Sequence, residues 1–427
     1  MATLPHCGTV VGRDETSRGE RLLARLAGEL ERRQRLLAHS GLGSHREQRR
    51  VAPVDERLPW MVLLVDGWEG LVTAYESVDH GRPLDILLSL VREGSAVGLR
   101  VVMTGDRAAL TSRAGSAFRD RLVLRLADPA DYALAGLSPR QVPDAMPAGR
   151  ALVWPAVHEA QLAMLDVAAT GAGQGRALAA VADRARARQP ASRQAAAFLP
   201  MRVEPLPPRL EVDELEAAAK AASTGPGWAL VGVGGDELRP CGVDLDTDGP
   251  AFVIAGPAGS GRSTALATMG RWLLGQGRRA VVIAHRRSPL RALGDDPGVL
   301  AVLSSDDASP LDVHLAAHPD LVVLADDAET LHDSAVERPL LALLRADAEG
   351  GAAVLLAGSA GEMSACFRGL TVEARRARTG LLLGAMAPVD GDLLGVRLPR
   401  SDVAPAGRGV LVVRGRVAPV QVASTSL

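Results

Sequence analysis

Residues 252–269 read FVIAGPAGSGRSTALATM. Residues 251–255 are apolar enough for a buried strand, a glycine-rich turn follows, and from Ser263 to Leu274 apolar side chains recur at helical spacing. The turn runs Gly256-Pro257-Ala258-Gly259-Ser260-Gly261-Arg262-Ser263-Thr264 and fits the pattern G-x-x-x-x-G-K-[ST], with arginine where lysine is usual. Gly259 and Gly261 let the backbone curl so that successive N–H groups, and the positive end of the next helix, face one point. An anion belongs there. Residues 256–264 are therefore expected to hold the phosphates of a nucleotide. Ser263 is expected to offer its hydroxyl to Mg2+, and Arg262 to reach the outer phosphates.

Lys220 is the only lysine in the chain, so arginine supplies nearly every cation. A guanidinium is broader than an ammonium and planar, and does not sit as a point charge between phosphate oxygens. Nucleotide binding is expected to survive that exchange better than hydrolysis does. Downstream by about 65 residues, Leu321-Val-Val-Leu-Ala325-Asp326-Asp327 reads as a buried strand ending in two acids, which a phosphate loop needs opposite it. Asp326 is the candidate metal ligand beside Ser263. Asp327 is the candidate catalytic group that orients or deprotonates water, with Arg262 as the second catalytic candidate. Ser359, after the strand VLLAG, is a weaker candidate for sensing the outer phosphate.

Composition narrows the alternatives. The 427 residues suffice for two or three domains, and with 3% aromatics the core must be built from Leu, Val and Ala. A net charge of −2 gives no overall field for nucleic acid. Cys7, Cys241 and Cys366 are far apart and form no metal-ligand grouping, and the histidines are scattered, so reduced thiols in a soluble intracellular protein are expected. No apolar run is long enough to cross a bilayer.

The chain also repeats itself with a period of roughly 255 to 260 residues, the scale of tandem domains. MVLLVDGWEG (61–70) corresponds to LVVLADDAET (321–330), and VVMTGDR (101–107) to VLLAGSA (354–360). RLVLRLADPADYALAGL (121–137) corresponds to GLLLGAMAPVDGDLLGV (380–396), and both copies continue to Pro-Ala-Gly-Arg and a strand. Strands alternating with helical segments predict an α/β fold of parallel sheets flanked by helices. The expected domains are residues 1–166, an Ala/Arg/Pro-rich connector over 167–215, and residues 216–427. The copies are unequal. The first has no phosphate loop, Gly67 stands where the second acid should be, and Glu69 is expected to point elsewhere. A sheet without its loop strand would carry an uncovered apolar face, so the chain is expected to be the C-terminal part of a longer polypeptide, with a degenerate remnant as the alternative reading of its first domain.

The order LPH, helix, ELERRQRLLAHSG, LLVDGW, RLVLRLADPADYALAGL, PAGRA resembles the FtsK/SpoIIIE ATPases. The DGW motif and VGVGGDELRPCGVDLDTDGPAFVIAGPAGSGRST look most like the tandem-ATPase EccC branch of type VII secretion. That resemblance implies RecA-like domains, ATP and Mg2+ at interfaces, self-association in a ring such as a hexamer, and a membrane anchor upstream. It implies a translocase whose polymer is a secreted protein or DNA. Arg262 and Gly67 depart from the family pattern and keep open a second possibility, an ATP-binding scaffold that does not hydrolyse. Arg119 and Arg121, or Arg375, Arg376 and Arg378, are candidates by position for the arginine that such rings insert into a neighbour's site.

Overall fold

A computed structural model describes residues 1–188, 200–346, 351–385, 387–398 and 405–424. The chain divides into two units, Met1–Val203 and Glu204–Leu427. No described helix is long and apolar enough to cross a membrane.

In the first unit, strands β1 (Met61–Val65) and β2 (Leu99–Met103) form a parallel pair. Strands β3 (Arg121–Leu124), β4 (Arg150–Trp154) and β5 (His158–Gln161) form a separate antiparallel meander. One face of the parallel pair is covered. The helix Thr16–His39 has leucines at helical spacing, and Leu23, Leu26, Leu30 and Leu37 pack with Leu87 and Leu90 of the helix Arg82–Glu93 against Leu63 and Val101.

Among the described residues the second unit has one sheet of ten strands: β6 (Trp228–Gly234), β7 (Arg239–Asp244), β8 (Ala251–Gly256), β9 (Ala280–Ile283), β10 (Val299–Leu303), β11 (Val322–Ala325), β12 (Ala353–Ser359), β13 (Gly380–Leu383), β14 (Arg408–Val413) and β15 (Arg416–Val422). Their order is β10-β9-β11-β12-β8-β13-β14-β15-β6-β7. The six from β10 to β13 are parallel, and β8 and β11 are buried along their whole length. Helices on both faces demand such unbroken apolar runs. On one face the helix Arg262–Gly275 packs Leu266, Met269 and Leu273 with Phe252, Ile254, Leu324 and Leu355. On the other, Leu340, Met363 and Leu370 pack with Val253, Val323, Val354 and Leu356.

Beyond its six parallel strands the sheet of the second unit continues with antiparallel ones. From β13 onward every pairing is antiparallel, because β14 and β15, and β6 and β7, are joined by short turns that only antiparallel neighbours permit. β12 lies between the acid strand β11 and the loop strand β8. Within the stretch read as a connector, Gly171–Arg188 is a helix, while residues 200–210 carry none of the named elements.

The similar stretches pair alike. β11 and β12 are parallel, as β1 and β2 are, with Leu324 opposite Leu355 and Leu64 opposite Val102. β13, β14 and β15 form an antiparallel meander, as β3, β4 and β5 do.

Candidate nucleotide-binding site

β8 ends at Gly256 and the next helix starts at Arg262, so residues 257–261 reverse the chain above the sheet edge. Gly259 (φ 76°) and Gly261 (φ 99°) occupy left-handed backbone that side chains rarely tolerate. A Cβ at Gly256 would lie 2.6 Å from Ser260 Oγ and 2.7 Å from Leu383 O, so the loop closes tightly on itself. Pro257, Ala258 and Gly259 form an exposed lip, Ser260 is buried, and Gly261 to Thr264 are half-buried. The Gly407 N–H donates to Ser260 O at 2.9 Å and ties the loop to the start of β14.

The acid strand meets this loop in the same sheet. Ser263 Oγ donates to Asp326 Oδ1 at 3.1 Å, which joins the two residues expected to share a metal. Ser288 Oγ donates to Asp326 Oδ2 at 2.5 Å. Asp326 is buried, and its N–H donates to Ile283 O at 3.0 Å, so its place is set by β9 as well as β11. A hydroxyl and a carboxylate are hard oxygen donors of the kind Mg2+ takes.

Asp327 follows with φ 50° and ψ 51°. Burial raises its pKa, the carboxylates of Asp326 and Glu329 raise it further, and Arg262 and His285 act in the opposite direction. The shift moves Asp327 toward the range useful to a general base. Arg262 Nη1 stands 4.0 Å from Glu329 Oε1, at the limit of an ion pair and beyond a hydrogen bond. That nitrogen is buried with no hydrogen-bond partner, and so is Ser260 Oγ. Two orphaned buried polar atoms on one loop fit a site built for an anion, since such groups cost free energy until paired. Ser288, Glu329 and His285 were not singled out from sequence. Only Glu329 had a visible signal: a glutamate stands three residues after the first acid in both copies, at Glu69 and Glu329.

No family model matches the chain. The ESX-4 secretion system protein EccC4 of Mycobacterium tuberculosis is 26% identical over 447 residues, covering 96% of this chain and 33% of EccC4. The ESX secretion system protein EccC of Thermomonospora curvata is 27% identical over 328 residues, covering 73% of this chain and 23% of that protein. Among solved structures, EssC (ATPases 2 and 3) from Geobacillus thermodenitrificans matches with a TM-score of 0.74 at 18% identity, covering 99% of this chain and 82% of that one. Thermomonospora curvata EccC (ATPases 2 and 3), solved in complex with a signal sequence peptide, matches with a TM-score of 0.64 at 23% identity, covering 100% and 80%. The chain is similar in sequence to EccC proteins of ESX secretion systems, and in fold to EccC and EssC. Its fold is that of their RecA-like ATPases 2 and 3. It spans about a third or less of the length of the curated EccC relatives it matches.

Seen as an EccC-like pair, the two units differ at the acids. Asp66 is exposed, unlike Asp326, and its Oδ1 accepts from Thr104 Oγ1 at 2.6 Å. The Gly67 N–H donates to Thr104 Oγ1 at 2.9 Å, and Gly67 has φ 78°. Glu69 does not point elsewhere. Its Oε1 accepts from the Asp106 N–H at 2.8 Å, as Glu329 Oε2 accepts from the Ser359 N–H at 3.1 Å, because in each unit the acid strand's next turn lies over the end of its neighbour. Of the candidate arginines, Arg121 donates to Ala135 O and Gly115 O, Arg375 to Met363 O and Cys366 O, and Arg378 to Leu394 O and Gly395 O. These three hold their own units together. Arg119 and Arg376 are exposed. One histidine is less isolated than the sequence suggested: ligand atoms of His332, Asp333 and Glu337 lie within 4.8 Å of one another. Glu337 already accepts N–H bonds from Asp333 and Leu370 there.

Proposed function

We propose that the second unit binds ATP with Mg2+ and turns it over, as one ATPase of an EccC-like machine that moves secreted polypeptide. The observation that carries this is the convergence of the Ser263–Asp326 contact with the unpartnered Ser260 Oγ and Arg262 Nη1. Residues 256–264 would cradle the phosphates, Ser263 and Asp326 would hold Mg2+, and Asp327 would orient water or accept its proton. Bound Mg2+ would supply neutralisation of phosphate charge. Arg262 would bring positive charge to the outer phosphates, with Glu329 nearby at 4.0 Å. The chain would work in a ring, proposed as a hexamer, at the cytoplasmic face of a membrane. A protein cargo is preferred to DNA, since the net charge of −2 offers no general field for a polyanion.

A second reading is an ATP-binding scaffold without hydrolysis. The arginine in the lysine position and the glycine at Gly67 favour it. ATPase rate and ATP affinity, measured with and without DNA or a secreted substrate, separate the cases. Turnover abolished by Asp327→Asn with binding retained supports the proposal. Tight binding without turnover in the unaltered protein selects the scaffold, and DNA stimulation selects a DNA cargo.

A further inference from the structure

The Asp326 carboxylate is held from two sides. Ser263 Oγ donates to Oδ1 at 3.1 Å, and Ser288 Oγ donates to Oδ2 at 2.5 Å. Asp326 is 5% exposed, and among the described residues no cationic side chain stands within ion-pair distance of it. A buried carboxylate whose side-chain donors are hydroxyls alone lacks a countercharge, and a bound cation supplies one.

Only the first of these hydroxyls belongs to the phosphate loop. Ser288 comes from the turn after β9, and that turn is fixed on its own account. β9 runs beside β11 with Ile283 opposite Ala325. The Ser288 N–H donates to His285 O at 2.9 Å, and Arg291 Nη1 donates to Ala284 O at 3.1 Å. Ser288 Oγ also accepts from the Leu290 N–H at 3.2 Å, while Leu290 and Leu293 are buried in the core with Leu266 and Leu324. With its lone pair turned to Leu290, the hydroxyl commits its one proton to Asp326.

We propose that Ser288 is a positioning residue for the divalent metal of this site. Its bond to Oδ2 stops the Asp326 carboxylate from turning about its Cβ–Cγ bond and so holds Oδ1, the oxygen beside Ser263, in one orientation. The inference rests on the reading of Ser263 and Asp326 as the pair that holds the metal. Mg2+ gains most from such a hold, because it demands near-octahedral oxygen ligands, whereas Ca2+ accepts a larger and looser shell.

The test measures Mn2+ binding to the full chain with a non-hydrolysable ATP analogue, through the electron paramagnetic resonance signal of free Mn2+. Mg2+ and Ca2+ serve as competitors. Ser288→Ala should weaken Mn2+ and Mg2+ about tenfold or more, and Ca2+ by less than about threefold. Affinity for the analogue in EDTA should stay unchanged, and Ser288→Thr, which keeps the hydroxyl, should restore metal binding. Ser288→Cys should repeat the alanine pattern through its weakly donating thiol, and it stands in if alanine at the cap unfolds the turn. Unchanged metal affinities in the alanine and cysteine variants would overturn the proposal. So would an equal loss of Mg2+ and Ca2+, or a threonine variant that restores nothing. If Asp326→Ala still abolishes Mn2+ binding in those cases, the metal-holding pair stands and only the role of Ser288 fails. No Mn2+ binding by the unaltered chain would overturn both.

Discussion

At Asp327 the backbone enters the left-handed region, while its counterpart Gly67 sits at φ 78° without a side chain to resist it. A non-glycine residue held there stores strain that surrounding structure must offset, and such positions gather at functional sites. The carboxylate adds a second penalty. Because the folded pKa is raised, the native state binds the proton more tightly than the unfolded chain. The resulting stability is fully present below the unfolded value of about 3.8 and is lost as pH rises through the folded pKa. At neutral pH the ionised Asp327 therefore destabilises the fold relative to its protonated form. Asp327→Asn should raise the urea midpoint at pH 7.5 and lose that advantage progressively toward pH 4, while abolishing ATP turnover. Arg262→Lys should act in the opposite sense on catalysis. A compact ammonium between phosphate oxygens is expected to raise turnover about tenfold, or about 1.4 kcal/mol in the barrier. A steady-state assay at saturating ATP reads it. The residues of the loop and both acids were legible in sequence because their spacing is local to one strand end or one turn. Ser288 and His285 were not, because only the packing of β9 beside β11 brings them to Asp326 and Asp327.

Between elements, the contrast lies in what covers a strand. Leu324 of β11 is 0% exposed under the helix Arg262–Gly275, whereas Leu64 at the matching place on β1 is 53% exposed. Leu324→Ala should thus lose about 2 to 5 kcal/mol through transfer and cavity terms. Leu64→Ala should change stability by no more than about 0.5 kcal/mol. Hydrogen exchange within each unit distinguishes the two outcomes. The central strands and helices were readable from apolar runs and helical spacing. The antiparallel half of the second sheet was not, since β15 meets β6 across nearly the whole unit and nothing local marks that pairing.

The whole chain presents two units with separate cores. Calorimetry should resolve a transition for each, and ATP with Mg2+ should raise only that of Glu204–Leu427. At a nucleotide concentration a hundred times Kd the linkage gives about 2.7 kcal/mol, and Ser263→Ala should remove most of it. An equal shift in the Met1–Val203 transition would contradict the assignment of one loop to one unit. The sequence by itself determined the glycine-rich turn after one buried strand and the acid pair after another, because each is written in neighbouring residues. Tertiary structure alone decided that β12 stands between loop and acids, that Ser288 bonds to Asp326, that Glu329 lies near Arg262, and which apolar side chains lie bare. Those facts depend on which strands meet, and strand partners are chosen by packing over the whole sheet.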